Sequence, residues 1–426
     1  MRLLDRRALL RGGAGAVGSL LLRGLASGLP PAYLLNPSTA KAQEMLPLEE
    51  QTLILSTSSR GDPLNINCPG SYADGVTNHP RLPVGRGRFG GRNARGAQVW
   101  CDLPGDLRQR LAFFHYNPRT AAHPEYRQTM AMRGSIKNEQ GNGTEMFPSA
   151  MAQLAYTPGF HLQEEPVPLC DSFLSFRSQP LQMIRPTDLK SLFSPEDPAL
   201  TNLRRTRDQV LDTLYADMLR GGSRAQRDFV DRYANSRAQA QAFGDQLGEL
   251  LSMLPTDPEE PNSAQDQVIA AVALAQLKIS PVITINIPFG GDNHQDAGLV
   301  KEEADTLSGV AAISELWSRL KGAGIQDEVT FATMNVFGRR AYLNGRGGRD
   351  HNRYHAVMVA FGAQVKGGVY GSMNGEGRAT AIGDVDVEET MEAAGVSLAR
   401  ALGHSSEVIG ERIPGGRAVG AFLRGA

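Results

Sequence analysis

The chain has 426 residues, with 44 lysines and arginines against 45 acids and a net charge of −1. That near balance excludes nucleic acid or an anionic membrane surface as the main partner, since either favours a strong basic excess. Glycine is abundant at 47 residues, which implies many tight turns and loops lying close to ligands.

The first residues read as an export signal. Arg6-Arg7 is followed by apolar Ala8, Leu9 and Leu10, then by a weakly apolar stretch from Gly12 to Leu35. Ala40-Lys41-Ala42 offers small residues where a signal peptidase cuts. Arg23, Pro30 and Pro31 interrupt the apolar stretch, which falls short of the ~20 uninterrupted residues of a spanning helix. The expectation is a twin-arginine signal over residues 1–42 and no permanent membrane anchor. The mature chain, 43–426, is then periplasmic or secreted, with the twin-arginine translocase as its partner during export. Cys68, Cys101 and Cys170 lack metal-ligand spacing; one disulfide with a free thiol, or none, are both open.

Gln51 to Ser56 is short, apolar and β-prone, and runs into Arg60-Gly61-Asp62-Pro63. Residues 60–100, rich in Gly, Asn, Pro and Arg, read as a long ordered loop. Leu111 to His115 is a second predicted strand. Met151 to Ala155 starts a helix, 158–198 is irregular, and Asp208 to Met253 has helical spacing, a helical insertion at about 200–255 in a single domain. From there helices and strands alternate: helices over 264–277, 302–320 and 387–402, strands over 282–287, 329–336 and 355–361. That rhythm predicts a three-layer α/β/α fold with a mainly parallel central sheet, its ligands beyond the carboxyl ends of the strands.

Polar clusters stand at those ends. After the strand at 282–287, Asp292 and His294 are two apart and can aim a carboxylate and an imidazole at one ion. That donor mixture suits Zn, Mn or Fe better than Ca; the plainer alternative is a polar turn. Gly347-Gly348-Arg349-Asp350-His351 sets an acid and a His together before a strand, or is a surface loop. Asp62 is a ligand candidate or a turn cap. Thr120, beside Arg119, is a nucleophile candidate with a cation to hold an anionic group, or a helix N-cap. Gly85-Arg86-Gly87-Arg88-Phe89-Gly90 matches a G-x-G-x-x-G string without the strand-to-helix context of a dinucleotide site, and its arginines line an anion-binding rim or a solvated loop.

The order of these pieces carries a resemblance. The run from Ile283 to His294 resembles the strand followed by G-W-D-T-H in the bacterial domain-of-unknown-function 1501 family. Phe337-Gly338-Arg339, Asn344-Gly345 and Gly348-Arg349-Asp350-His351 resemble its E-F-G-R…N-G…G-R-D-H signature, and Lys366 to Gly371 its K-G-G-x-x-Y-G element. The acidic helix from Asp386, the loop Arg60 to Asn65 and Arg119-Thr120 are similar to its closing helix, first loop and R-S-H-F segment. That family is grouped with the alkaline-phosphatase and sulfatase superfamily. The likeness implies an alkaline-phosphatase-like fold and a one- or two-metal site holding a divalent ion (Zn, Mn or Ca). Its ligands would be Asp62, Asp292, His294 and His351, with Thr120 at the nucleophile's place. The implied function is an exported metal-dependent hydrolase of small phosphate or sulfate esters, in which Thr120 or a water attacks and Arg119 or Arg349 stabilises charge. The chain departs from the pattern at Gly291, Asn293 and Val336, where the family has Trp, Thr and an acid. Those departures motivate the alternative, a non-catalytic exported scaffold that binds a ligand or partner.

Overall fold

The computed structural model describes residues 51–126, 145–157, 160, 161, 163–171, 174–193, 262–413 and 416–424, with isolated positions between 210 and 254. The expected signal segment, residues 1–42, and nearly all of the expected insertion at 200–255 lie outside the described residues. The chain divides into two units. One includes Thr157, His161 and a helix at Pro186–Phe193. The other, which holds every residue discussed below, is built on a seven-stranded sheet.

The described strands, in chain order, are β1 (Thr52–Ser58), β2 (Val84–Phe89), β3 (Arg92–Ala97), β4 (Ala112–Tyr116), β5 (Val167–Pro168), β6 (Ser175–Phe176), β7 (Gln179–Pro180), β8 (Val282–Ile285), β9 (Val329–Asn335), β10 (Gly338–Arg339), β11 (His351–Asn352), β12 (Ala356–Phe361) and β13 (Gly368–Tyr370); β2–β3, β6–β7 and β10–β11 are two-stranded ribbons and the others form the sheet. Across the sheet the order is β13-β4-β12-β9-β1-β8-β5. β1 is entirely buried and pairs in parallel with both β8 and β9. Such a strand has both faces covered, which is why it reads as a continuous apolar run rather than an alternation. Helices supply that cover. One face packs Leu53, Leu55, Phe114, Met334 and Met358 against Phe147 and Met151 of the helix Phe147–Ala155 and against Met391 and Leu398 of the helix Thr390–Ala401. On the other, Trp100 meets Phe113 edge-on at 5.2 Å, and Trp317 of the long helix Val300–Gly322 meets Phe361 at 5.5 Å. Each of these fully buried aromatics contributes roughly 1.5–3 kcal/mol through the apolar surface it removes from water. Among the described residues no helix is long and apolar enough to cross a membrane.

Alternation of helices and strands anticipated a mainly parallel sheet, and the sheet is one. The reversal of β12 it did not anticipate. β12 runs antiparallel to both β4 and β9, with Ala356 opposite Tyr116 and Ala360 opposite Ala332. The amino end of β12 therefore lies at the edge where the other strands end, and it brings residues 351–355 there.

The expected long loop at 60–100 is instead partly regular. It contains a short helix Leu64–Asn67, a hairpin of β2 (Val84–Phe89) and β3 (Arg92–Ala97), and a helical turn Gln98–Cys101. β2 alternates exposed Val84, Arg86 and Arg88 with buried Gly85, Gly87 and Phe89. A Cβ on Gly85 would stand 2.7 Å from Cys101 Sγ, so that inward position has room only for glycine. The three cysteines are all buried, and none is in a disulfide. Burial pushes the Cys68 thiol up to about 12, and its Sγ lies 3.1 Å from Ser71 Oγ.

Candidate metal centre

The carboxyl edge of the sheet collects four loops. Asp62 follows β1, Arg119 to His123 follow β4, Asp292 to His294 follow β8, and Phe337 to Arg339 follow β9. A two-stranded ribbon, β10 (Gly338–Arg339) with β11 (His351–Asn352), lies over them and pairs Arg339 with His351.

Ligand-type atoms of His123, Asp292 and His351 all lie within 4.8 Å of one another. His294 joins them, its Nε2 being 2.7 Å from His351 Nε2 and 3.6 Å from Asp292 Oδ1. The partners fix the tautomers. His123 Nδ1 lies 2.7 Å from the Ser59 carbonyl oxygen, His351 Nδ1 bonds the Ala121 carbonyl oxygen, and His294 Nδ1 lies 3.2 Å from Asp350 Oδ1. Each acceptor can take only an N–H, so each ring carries its proton on Nδ1 and presents a lone pair at Nε2. Three imidazole lone pairs and a carboxylate thus converge. As they stand, His294 Nε2 and His351 Nε2 are at hydrogen-bond distance, 2.7 Å, and share a proton; an ion bound to both at about 2.0–2.1 Å would take that proton's place and spread the rings slightly.

The surroundings keep Asp292 and His351 deprotonated. Burial alone would raise Asp292, but Arg339, with smaller help from His294 and His123, outweighs it and holds the carboxyl below its ordinary value. Burial lowers His351 to about 4, with Arg339 and the two neighbouring imidazoles acting in the same direction. An Asn344 hydrogen bond is the main reason that Asp350 also lies low.

Arg339 holds the centre together. It is fully buried, and its guanidinium donates to Asp292 Oδ1 at 3.0 Å, to the Arg60 carbonyl at 2.6 Å, to the Arg349 carbonyl at 3.2 Å and to the Gly61 carbonyl. Phe337 is the platform beneath: its ring centroid lies 4.2 Å from His351 and 5.0 Å from His123. Gly61, at φ +67°, makes room for that ring, because a Cβ there would stand 1.9 Å from Phe337 Cε2. Gly61→Ala is therefore expected to destabilise the fold by about 2 kcal/mol, through left-handed strain and displacement of the ring. Urea unfolding measures it; a variant as stable as the parent would show that Phe337 has another place to go.

Of the residues singled out in the sequence, Asp292, His294 and His351 come together. Asp62 is adjacent but otherwise engaged. It is buried, its Oδ1 accepts from Gly291 N at 2.7 Å and Phe289 N at 3.2 Å, and Asn335 Nδ2 lies 3.4 Å from Oδ2. It shapes the turn that delivers Asp292. Arg349 is fully buried, with Nε donating to Glu302 at 2.8 Å and Nη1 to the carbonyls of Thr77, Arg340 and Ala341. Arg119, at φ +57°, pairs with Glu392 on the helix Thr390–Ala401. The Thr120 hydroxyl is buried and accepts from Ala122 N at 3.2 Å. His123 was not foreseen as a ligand. Its only signal was its place three residues after Thr120, where it opens a short helical turn, His123–Glu125, with Pro124 next.

A model of the family described as "Protein of unknown function (DUF1501)" matches residues 173–399, just over half of the chain. The chain belongs to the DUF1501 family. The DUF1501 match spans Asp292, His294, Arg339, Asp350 and His351, whereas Asp62, Thr120 and His123 lie before it. No curated protein matches.

Proposed function

We propose that this DUF1501 protein is an exported, metal-dependent hydrolase of phosphate or sulfate esters, with an alkaline-phosphatase-like arrangement and a twin-arginine signal at residues 1–42. The observation that carries the reading is the convergence of three Nε2 lone pairs and the Asp292 carboxylate, each anchored from behind. This donor set fits a divalent transition ion: imidazole nitrogens favour Zn, Mn or Fe over Ca. His123, Asp292, His294 and His351 would hold it. When bound, such an ion supplies Lewis-acid polarisation of an ester oxygen.

The chain's own groups do the rest. Arg339 keeps Asp292 aimed and ionised, and Asp350 fixes the His294 tautomer. Thr120 precedes Ala121, whose carbonyl anchors His351; it or a water is the nucleophile. Arg119 and Arg349 are engaged elsewhere, so the cation that receives the anionic ester is Arg60. Arg60 is exposed, and its side chain runs beside Gly291, next to Asp292.

The test is metal analysis and turnover together. Purified mature protein, loaded in turn with Zn, Mn, Mg and Ca, is assayed on aryl phosphates, phosphodiesters and aryl sulfates. At least one metal should support turnover, and His294→Ala should lose both activity and more than about 100-fold in metal affinity, since even an outer hydrogen bond to a ligand is worth 10–100-fold. Metal retained without turnover would favour the alternative, a scaffold that binds a ligand or partner. Metal affinity untouched by His294→Ala would end the metal reading.

A further inference from the structure

The β10–β11 ribbon has two sides. Adjacent residues on an extended chain face opposite ways, so while Arg339 and His351 turn toward the metal centre, Arg340 and Asn352 turn away from it. On that far side lies a cleft of 520 Å³, within the size range of small-ligand sites. One wall is Arg340 to Tyr342, and the other is the turn Gly375 to Arg378. The Asn352 side chain closes the floor: it donates to the Gly377 carbonyl at 2.8 Å and accepts from Tyr354 N at 2.9 Å.

The cleft is cationic, and its cations are held in place. Of the two lining arginines, the Arg378 guanidinium lies 4.6 Å from the centroid of Tyr354 and that of Arg340 5.4 Å from Tyr342; Arg353, which does not line the cleft, lies 5.6 Å from the Tyr354 centroid. A guanidinium fixed on an aromatic face loses little freedom when it binds an anion, and its planar fork fits tetrahedral oxyanions in bidentate fashion. Against the two lining charges, Arg340 and Arg378, stands Glu376, exposed and 3.3 Å from Arg378 Nε; a pair that exposed is weak. Among the described residues no carboxylate pairs with Arg340 or Arg353, and Asp350 acts on Arg340 only at longer range. Thr77 and Tyr342 add hydroxyls at the rim. Because the guanidiniums already lie over the tyrosine rings, the cleft offers a ligand N–H forks and hydroxyls rather than ring faces.

We propose that this cleft binds a sugar or polyol carrying two or more sulfate or phosphate groups. The site is separate from the metal centre and does not depend on the hydrolase reading. The full chain is titrated calorimetrically at low ionic strength with sucrose octasulfate and with inositol hexakisphosphate, which distinguish sulfate from phosphate. Saturable binding of at least one is expected, weakened roughly tenfold by Arg340→Ala and again by Arg378→Ala, and eroded by added salt. Both substitutions are at exposed positions, and circular dichroism checks that each variant folds. His294→Ala should bind as the parent does. The proposal is overturned if neither probe saturates, or if the two arginine variants bind as tightly as the parent. It is overturned too if binding disappears in His294→Ala, which would place the oxyanions on the metal centre instead.

Discussion

Glu302→Ala should destabilise the protein by about 3–5 kcal/mol, because it strands a buried guanidinium. Glu302 and Arg349 are both fully buried, and Arg349 Nε donates to Glu302 Oε2 at 2.8 Å. The same carboxylate accepts from Asn67 Nδ2 at 3.1 Å and Asn293 Nδ2 at 2.8 Å. Removing it leaves one charge and two amides without their acceptor in a low-dielectric interior. Asn293 stands between Asp292 and His294, so the loss should reach the candidate metal centre and, under the proposed function, lower its metal affinity as well. Urea denaturation reads the stability, and the double variant Glu302→Ala/Arg349→Ala should lose less than the two single losses added together. A single-variant loss under about 1 kcal/mol would mean that water enters and replaces the carboxylate.

The same pair shows why Arg349 was misleading in the sequence. A Gly-Gly-Arg-Asp-His run reads as a functional loop, and an arginine in it as an anion holder. Nothing in the run tells which side chain turns inward. Here Gly348 lies so close to Asn293 that a Cβ would stand 1.9 Å from its carbonyl oxygen. That contact turns Arg349 under the loop to Glu302, while Asp350 and His351 reach the centre. The sheet itself was legible: apolar runs at β1, β8, β9 and β12 mark strands buried on both faces, and the two-residue spacing of Asp292 and His294 placed both at one centre. Asp62 was legible as a residue of this edge but not as an acceptor of backbone N–H groups, a role set by the turn at Gly290 and Gly291. The β2–β3 hairpin was hidden because its inward positions are mostly glycine, so no apolar alternation reveals it. His123 was hidden because its partners come from other loops: Ser59 after β1, Asp292 after β8 and His351 before β12.

The reversal of β12 also creates a pair of histidines with no place in the proposed chemistry, and they should govern the response to acid. With Ala356 opposite Tyr116, His115 and His355 meet inside the edge, His355 Nε2 being 2.8 Å from His115 Nδ1. The hydrogen-bond roles are settled from both ends. His115 Nε2–H donates to the Pro69 carbonyl at 2.9 Å, so Nδ1 accepts; Asn65 Nδ2 donates to His355 Nδ1 at 3.1 Å, so Nε2–H is the donor between the rings. Every ring nitrogen is used, and only while both rings are neutral. Burial holds His115 down at about 4, and burial plus the neighbouring ring holds His355 well below 6.5. Unfolded, both rings take up protons near pH 6.5. Above that pH the two states bind protons alike and the pair adds no pH dependence. As the pH falls from 6.5 toward 4, the unfolded chain binds protons that the folded one refuses, and stability drops. The His115 shift alone corresponds to about 3 kcal/mol, and His351 and His404, both lowered to about 4 by burial, act in the same direction. Urea midpoints measured at about pH 7.5 and about pH 5 should therefore differ markedly, the acid one being lower. The variant His115→Phe/His355→Leu should show a much smaller difference between the two pH values, whatever fixed cost the substitutions carry. If its pH dependence equals that of the parent, the loss belongs to other groups and the buried pair is protonated without penalty.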